Sequence, residues 1–438
     1  MKKLFKKIAI SLIIIVALYG VGRIGIVAYD SYKFIEREPY MVMQTQNSIT
    51  IKWQTPKEEI GTIHYSPLSG NLEQNISDNK GTKKHALTIS GLHECAKYKY
   101  SVDSSSLKID NEGRSFTTLC ENEKTQRVWV IGDSGERGKG QNGVYNQMLN
   151  YIDHDLHKLN FWILLGDNAY RSGTQKQFNQ NLFEPYKELV KRFVPWAVTG
   201  NHDARRWAFY DIWDFPKNGE SGGVASGHDE YYAINDGNLH IVMLDNQNIN
   251  LNKDGDMANW LKKDLQVNTK PWTLVVFHTP PYSDGGHKSD NSSDSGARME
   301  NMRENFVPIF DEFGVDLVLS GHSHGYERSK LMVNHLGKSS TFDITKNLVQ
   351  NHDSCYTKPL KMTPNSGTIY MVAGSSSKLD HATLQHPAMP FSFEKLGSVI
   401  LEVTPTTLNS KFLTIDGTIA DEFTIKKNNT KCENKTNG

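Results

Sequence analysis

Between residues 38 and 119, apolar and polar positions alternate with a period of two. Ser48-Ile-Thr-Ile-Lys-Trp53 and Tyr98-Lys-Tyr-Ser-Val102 place every second side chain on one face, as half-buried strands do. Polar turn clusters such as 110–113 separate these runs, so the region is expected to be a small β-sandwich with Trp53 in its core. The pattern changes after a polar segment at 119–126. Short uninterrupted apolar runs follow at 128–131, 161–165, 194–198, 240–244, 273–277, 317–319 and 369–372. Stretches with helical periodicity lie between them at 141–154, 175–192, 256–267 and 298–313. That alternation predicts a layered α/β sheet, with 399–403 and 411–415 as closing strands.

The chain start has its own pattern. Lys2, Lys3, Lys6 and Lys7 precede an apolar run at 8–22 that resumes at 24–29 after Arg23. Residues 1–30 therefore read as a signal peptide or a membrane anchor, and both put the remainder outside the cytoplasm. A length of 438 residues suits two domains, here 38–119 and 126–427. Lys+Arg and Asp+Glu are both 49, and no aromatic–basic interleaving occurs, which argues against a nucleic-acid binder. The four cysteines, Cys95, Cys120, Cys355 and Cys432, form no CxxC pair. In an oxidising compartment they suit two disulfides, Cys95–Cys120 within the small domain and Cys355–Cys432 for the remaining two; the alternative is four buried thiols.

The chemistry-bearing residues sit directly after the apolar runs. They are Gly132-Asp133-Ser-Gly135, Gly166-Asp167-Asn-Ala-Tyr170, Gly200-Asn201-His202-Asp203, His278-Thr-Pro-Pro-Tyr282 and Gly321-His322-Ser-His324. Ligands of open α/β sheets bind beyond the carboxyl ends of the strands, so five such motifs converge on one rim. Carboxylate, amide oxygen and imidazole together suit first-row metals. Six or seven donors exceed one tetrahedral zinc and favour two ions bridged by a carboxylate. Each motif alone has a structural reading as turn chemistry; the ordered set of five does not.

This ordered set resembles the purple acid phosphatases, within the calcineurin-like metallophosphoesterase superfamily. Most of that superfamily has Asp-x-His in the first motif; here Gly135 replaces the histidine and Tyr170 follows Asp167, which marks the purple subgroup. The likeness spans residues 38–427 and includes Tyr231-Tyr232, 314–328 and Gly374-Ser-Ser-Ser-Lys-Leu379. It implies a four-layer metallophosphoesterase α/β sandwich preceded by a small all-β fibronectin type III-like sandwich. It also implies a dinuclear-metal acid phosphatase that hydrolyses phosphomonoesters by attack of a metal-activated hydroxide. Carried over by motif, Asp133, Tyr170 and His324 hold Fe(III); Asn201, His278 and His322 hold a divalent Zn, Fe or Mn ion; Asp167 bridges. His202 and His287 are the expected catalytic histidines at the phosphate. There are two departures: Asp203 stands where the purple members more often have Glu, and 288–296, near the expected substrate entrance and so bearing on substrate preference, is rich in Ser and Asp. The expected partners are small phosphoesters and no nucleic acid, with anchorage through the N-terminal segment and a homodimer both open. The expected location is secreted, periplasmic or membrane-anchored facing outward. The other readings are a metallophosphodiesterase or nucleotidase with the same site, and a surface binding protein with a structural metal site.

Overall fold

A computed structural model describes residues 2–70, 73–205, 207–427 and 432. A helix at Lys2–Tyr32 precedes the first strand. Among the described residues, no helix is long and apolar enough to cross a membrane.

Alternating positions then build two antiparallel sheets. One contains Arg37–Val42, Ser48–Glu59 and Thr82–Ser90; the other contains Gln74–Ser77, Thr62–Pro67, Lys97–Asp103 and Ser115–Thr117. Ile49, Ile51 and Trp53 from the first meet Ile63, Tyr98, Tyr100 and Val102 from the second in one core. The Trp53 ring is fully buried and stacks on His85 at 4.5 Å. This all-β module has the form the alternation predicts.

Two seven-stranded sheets follow. The first runs Trp196–Ala197, Phe161–Leu164, Gln126–Ile131, Gly397–Val403, Thr407–Thr414, Ile419–Lys427 and Cys355–Lys358. The second runs Tyr232–Asp236, Leu239–Met243, Trp272–Val276, Leu317–Ser320, Ile369–Ala373, Tyr326–Arg328 and Phe391–Phe393. The central strands of the second pair in parallel, which buries both faces and explains their unbroken apolar runs. Period-two alternation divides those residues between two cores. Ile241, Met243, Leu274, Val276, Leu317 and Leu319 face the first sheet. Val242, Val275 and Val318 face outward, against Met257, Leu261, Phe306 and Phe310 of the covering helices. Helix Lys139–Tyr151 covers the other sheet, which gives four layers, α/β/β/α.

Three predicted elements differ in detail, and in one of them, 298–313, an i→i+5 stretch at Met302–Phe306 separates Arg298–Asn301 from Val307–Phe313. The stretch 175–192 is not one helix. Helix Gln175–Phe178 widens into an i→i+5 turn at Asn179–Phe183 and re-forms only at Lys187–Val190. Pro185 lies between, without an N–H and unfavourable to helix at the residue before it. The 194–198 run keeps only Trp196–Ala197 as strand, since Pro195 offers no ladder donor. Both expected disulfides form, Cys95–Cys120 and Cys355–Cys432.

Candidate metal centre

The strand-end motifs meet at one rim, and the backbone there is shaped for it. Asp133 (φ 52°), Asp167 (φ 52°) and His322 (φ 72°) all occupy the left-handed region that non-glycine residues avoid. Such strain persists where the surrounding structure enforces it, commonly at functional sites. The loops are laced together: Asp133 N–H donates to Gly166 O at 3.1 Å, Gly135 N–H to Asp167 O at 3.1 Å, and Gly321 N–H to His278 O at 2.9 Å. Two glycines are required by close approach. A Cβ on Gly135 would lie 2.3 Å from the Asn168 carbonyl carbon, and one on Gly200 would lie 2.1 Å from Asp167 N. No histidine therefore fits at 135 in this arrangement.

All nine residues singled out in the sequence belong to one connected cluster. Tyr170 OH donates to Asp133 Oδ1 at 3.0 Å and lies 3.2 Å from His324 Nε2, which is itself 3.4 Å from Asp133 Oδ1. His278 Nδ1 donates to Leu165 O at 2.8 Å, and its Nε2 lies 3.1 Å from Asn201 Oδ1 and 3.6 Å from Asp167 Oδ1. His322 N–H donates to Asp133 Oδ2 at 2.7 Å, and its ring stands 5.0 Å from that of His278. His202 N–H donates to Asp167 Oδ1 at 2.8 Å, while its Nδ1 donates to Arg171 O at 2.7 Å. His287 stacks on His322 with centroids 3.8 Å apart, and its Nδ1 lies 2.9 Å from Asp294 Oδ1.

The electrostatics follow from burial and crowding. Burial, then the charges of Asp133 and Asp167, push the Tyr170 phenol well above its usual value. Burial pushes Asp133 up, but the charge of His278 and the hydrogen bond from His324 outweigh it, and the net shift is downward. His322 is held well below the ordinary imidazole range by burial and then by its neighbours His278 and His287; its Nε2 lies 2.6 Å from Ser295 Oγ, whose hydroxyl donates to Asp294 Oδ1 at 2.8 Å. Burial lowers His324, but Asp133 and Asp380 prevail and raise it to about 9. His202 is lowered, chiefly by burial.

The donor set fits a pair of metal ions. Donor atoms of Asp133, Asp167 and His278 lie within 4.8 Å of one another, and all three residues are buried. His278 donates through Nδ1 to Leu165 O, which leaves its Nε2 and the Asn201 oxygen facing each other at 3.1 Å. Two acceptors at that distance need a cation between them or a proton on the ring, and a histidine held through a backbone carbonyl is the usual second contact of a metal-binding imidazole.

Sequence reasoning left several rim residues unassigned. Lys378 Nζ stands 3.5 Å over the Tyr170 ring, and Asp380 Oδ1 lies 2.8 Å from His324 Nδ1. Asp294 and Ser295 also belong, and a second group of donor atoms within 4.8 Å is His287, Asp294 and His322. The 288–296 composition was the only signal for that pair. Asp203, noted only as a departure, is fully buried and accepts from Gly200 N, Ala169 N and both nitrogens of Asn168.

The family model described as calcineurin-like phosphoesterase matches residues 126–326, which hold the five strand-end motifs. Purple acid phosphatase 18 of Arabidopsis thaliana is 30% identical over 215 residues, covering 46% of this chain and 44% of that protein. Purple acid phosphatase 1 of Ipomoea batatas is 26% identical over 309 residues, covering 65% and 62%. The chain thus spans about half the length of the curated relatives it matches. A purple acid phosphatase from yellow lupin (Lupinus luteus) seeds shares the fold, with a TM-score of 0.71 at 17% identity over 92% of this chain and 77% of that one. The structure of PhoD also shares it, with a TM-score of 0.62 at 13% identity over 90% and 92%. Residues 126–326 thus match the calcineurin-like phosphoesterase family, and the chain is similar in sequence to purple acid phosphatases.

Proposed function

We propose that the chain is an exported, dinuclear-metal acid phosphatase acting on small phosphomonoesters, with 126–427 as its catalytic domain and 38–119 as a fibronectin type III-like module. Asp133, Tyr170 and His324 would hold a ferric ion; Asn201, His278 and His322 a divalent Zn, Fe or Mn ion; and Asp167 would bridge. The observation that carries this reading is the contact of a buried phenol with one carboxylate and one imidazole, Tyr170 with Asp133 and His324 at 3.0 and 3.2 Å. When bound, such ions supply Lewis acidity toward the phosphoryl oxygens and an activated water.

The remaining work falls to the chain. Because His202 donates through Nδ1 to Arg171 O, its Nε2 is left to face the cleft, 3.8 Å from Asp167 Oδ2. It can deliver a proton to the leaving alkoxide from there. His287 is fixed the same way through Nδ1 on Asp294, which supports a contact between its Nε2 and the phosphate. The two disulfides favour an oxidising compartment, which supports export.

The test combines visible absorption, elemental metal analysis and hydrolysis of a monoester and a diester. The expected result is about two metals per chain, a tyrosinate–Fe(III) absorption band, monoester preference, and loss of metal and activity in Asp167→Ala. A metal-replete protein inactive on every phosphoester would overturn the reading. Faster diester hydrolysis would replace the monoester assignment with a phosphodiesterase.

A further inference from the structure

Of the eight tryptophans, seven are buried and Trp207 alone is exposed, at 66%. It lies five residues beyond His202, between the turn Asp203–Arg205 and the short helix Ala208–Ile212. Arg205 Nη1 and His202 Nδ1 donate to the same acceptor, Arg171 O, at 3.2 and 2.7 Å, so this turn is fastened to the rim. The indole is paired with Tyr210, centroids 6.3 Å apart, and Tyr210 OH donates to Asp245 Oδ2 at 2.9 Å. Asp245 begins the loop after strand Leu239–Met243. From that loop, Gln247 O accepts from Arg298 Nη2 at 3.0 Å, Arg298 Nη1 donates to Ser295 O at 2.7 Å, and Ser295 Oγ reaches His322 Nε2 at 2.6 Å. Trp207 is therefore tied to the candidate centre from two sides, through His202 and through His322, while its own ring faces solvent.

A large apolar ring left in water beside the turn that carries His202 offers a flat π-face to a flat ligand. We infer that Trp207 is a substrate-binding edge that selects phosphomonoesters whose leaving group carries an aromatic ring, such as aryl phosphates and nucleoside monophosphates, over aliphatic ones. This inference rests on the phosphomonoesterase reading. It assigns Trp207 to binding the leaving group and leaves proton transfer with the histidines.

The test measures kcat and KM for phenyl phosphate, adenosine 5′-monophosphate and glycerol 3-phosphate with wild type, Trp207→Ala and Trp207→Phe. Stacking on one side chain predicts a KM about tenfold higher for the two ring-bearing substrates in Trp207→Ala, with kcat and the glycerol 3-phosphate KM unchanged and most of the loss restored in Trp207→Phe. A second readout needs no turnover. Adenosine 5′-monophosphate should quench tryptophan fluorescence in wild type and not in Trp207→Phe. Activity that is equal on all three substrates and unchanged in Trp207→Ala would overturn the inference while sparing the phosphatase reading. Wild type inactive on all three would overturn the reading beneath it.

Discussion

Asp203 is the buried keystone of the rim, and replacing it by asparagine tests that role. Its Oδ1 accepts from Asn168 N and Ala169 N at 3.0 and 3.2 Å; its Oδ2 accepts from Asn168 Nδ2 and Gly200 N at 2.8 and 3.0 Å. Four donors on two motif loops thus share one carboxylate. Asparagine keeps one oxygen, and its NH2 would face donors at the other position, so about two of the four lose their partner. A buried unsatisfied donor costs roughly 1–3 kcal/mol, which gives about 2–6 kcal/mol. Relief from burying a charge offsets part of that, leaving about 3 kcal/mol, a large share of a typical domain's stability. The loss should be local first. Amide hydrogen exchange at Asn168, Ala169 and Gly200 should quicken by about a hundredfold, since each 1.4 kcal/mol is about a factor of ten. Metal affinity should fall with it, because Asp167 and Asn201 flank these amides. Unchanged exchange at the three amides, with the urea midpoint also unchanged, would refute the reasoning.

Three further outcomes are expected. Tyr170→Phe should fold, retain divalent metal and lack the visible band on iron loading; a band of undiminished intensity by absorption spectroscopy would remove the phenol from the centre. Asp316→Ala should lower stability by about 3–5 kcal/mol in denaturant, because it strands the buried ammoniums of Lys358 and Lys427, now 3.0 and 2.7 Å from its oxygens; a change under about 1 kcal/mol would count against that network. Glu327 is buried beside Ser283 and Asp284, and burial raises its carboxyl from 4.5 to about 7. The folded state then holds this proton more tightly than the unfolded state, so stability from this group is present below pH 4.5 and lost as pH rises through about 7. Metal-depleted Glu327→Gln should therefore match wild type near pH 4.5 and exceed it by about 3 kcal/mol at pH 8, checked by urea unfolding at both; a constant difference between the two would refute it.

What could be read from the sequence, and what could not, divides along one physical line. Asp133, Asp167, Asn201, His278 and His322 each stand directly after an apolar run, so the strand that buries the run also aims the residue. Local pattern and tertiary position coincide there. Lys378, Asp380, Asp294 and Ser295 reach the same rim from loops whose course depends on contacts far along the chain, such as Lys288 Nζ to Thr383 Oγ1 at 3.2 Å and Asp380 N to His324 O at 3.0 Å. No periodicity marks such residues. The same line separates the elements. Central strands were legible because both faces are apolar, whereas Ile419–Lys427 was not, since Asp421 and Glu422 interrupt its alternation. Those charges have partners only in the folded chain: Asp421 accepts from Tyr326 OH at 2.7 Å and from Arg328 Nη2 at 2.9 Å.

That last contact also explains why the closing strands matter to the site. Tyr326 and Arg328 follow His324 by two and four residues, on strand Tyr326–Arg328. Arg328 is fully buried, and its guanidinium lies between the Phe391 and Phe423 rings at 3.8 and 4.7 Å. A buried guanidinium needs its carboxylate, because leaving it unpaired costs several kcal/mol. Asp421, on the C-terminal strand of the first sheet, supplies it to a strand of the second. The ion pair thus clamps the two sheets together beside the His322–His324 turn. Cys355–Cys432 ties the chain beyond that strand back to Cys355–Lys358, the strand paired with it. The candidate centre is distributed over five strand ends in two sheets, so its geometry is only as fixed as the register between them. The sheet–sheet clamp acts on that register, and the disulfide holds the strand that carries Asp421 to its neighbour, both far in sequence from Asp133 and Asp167 and with no atom in the cluster itself.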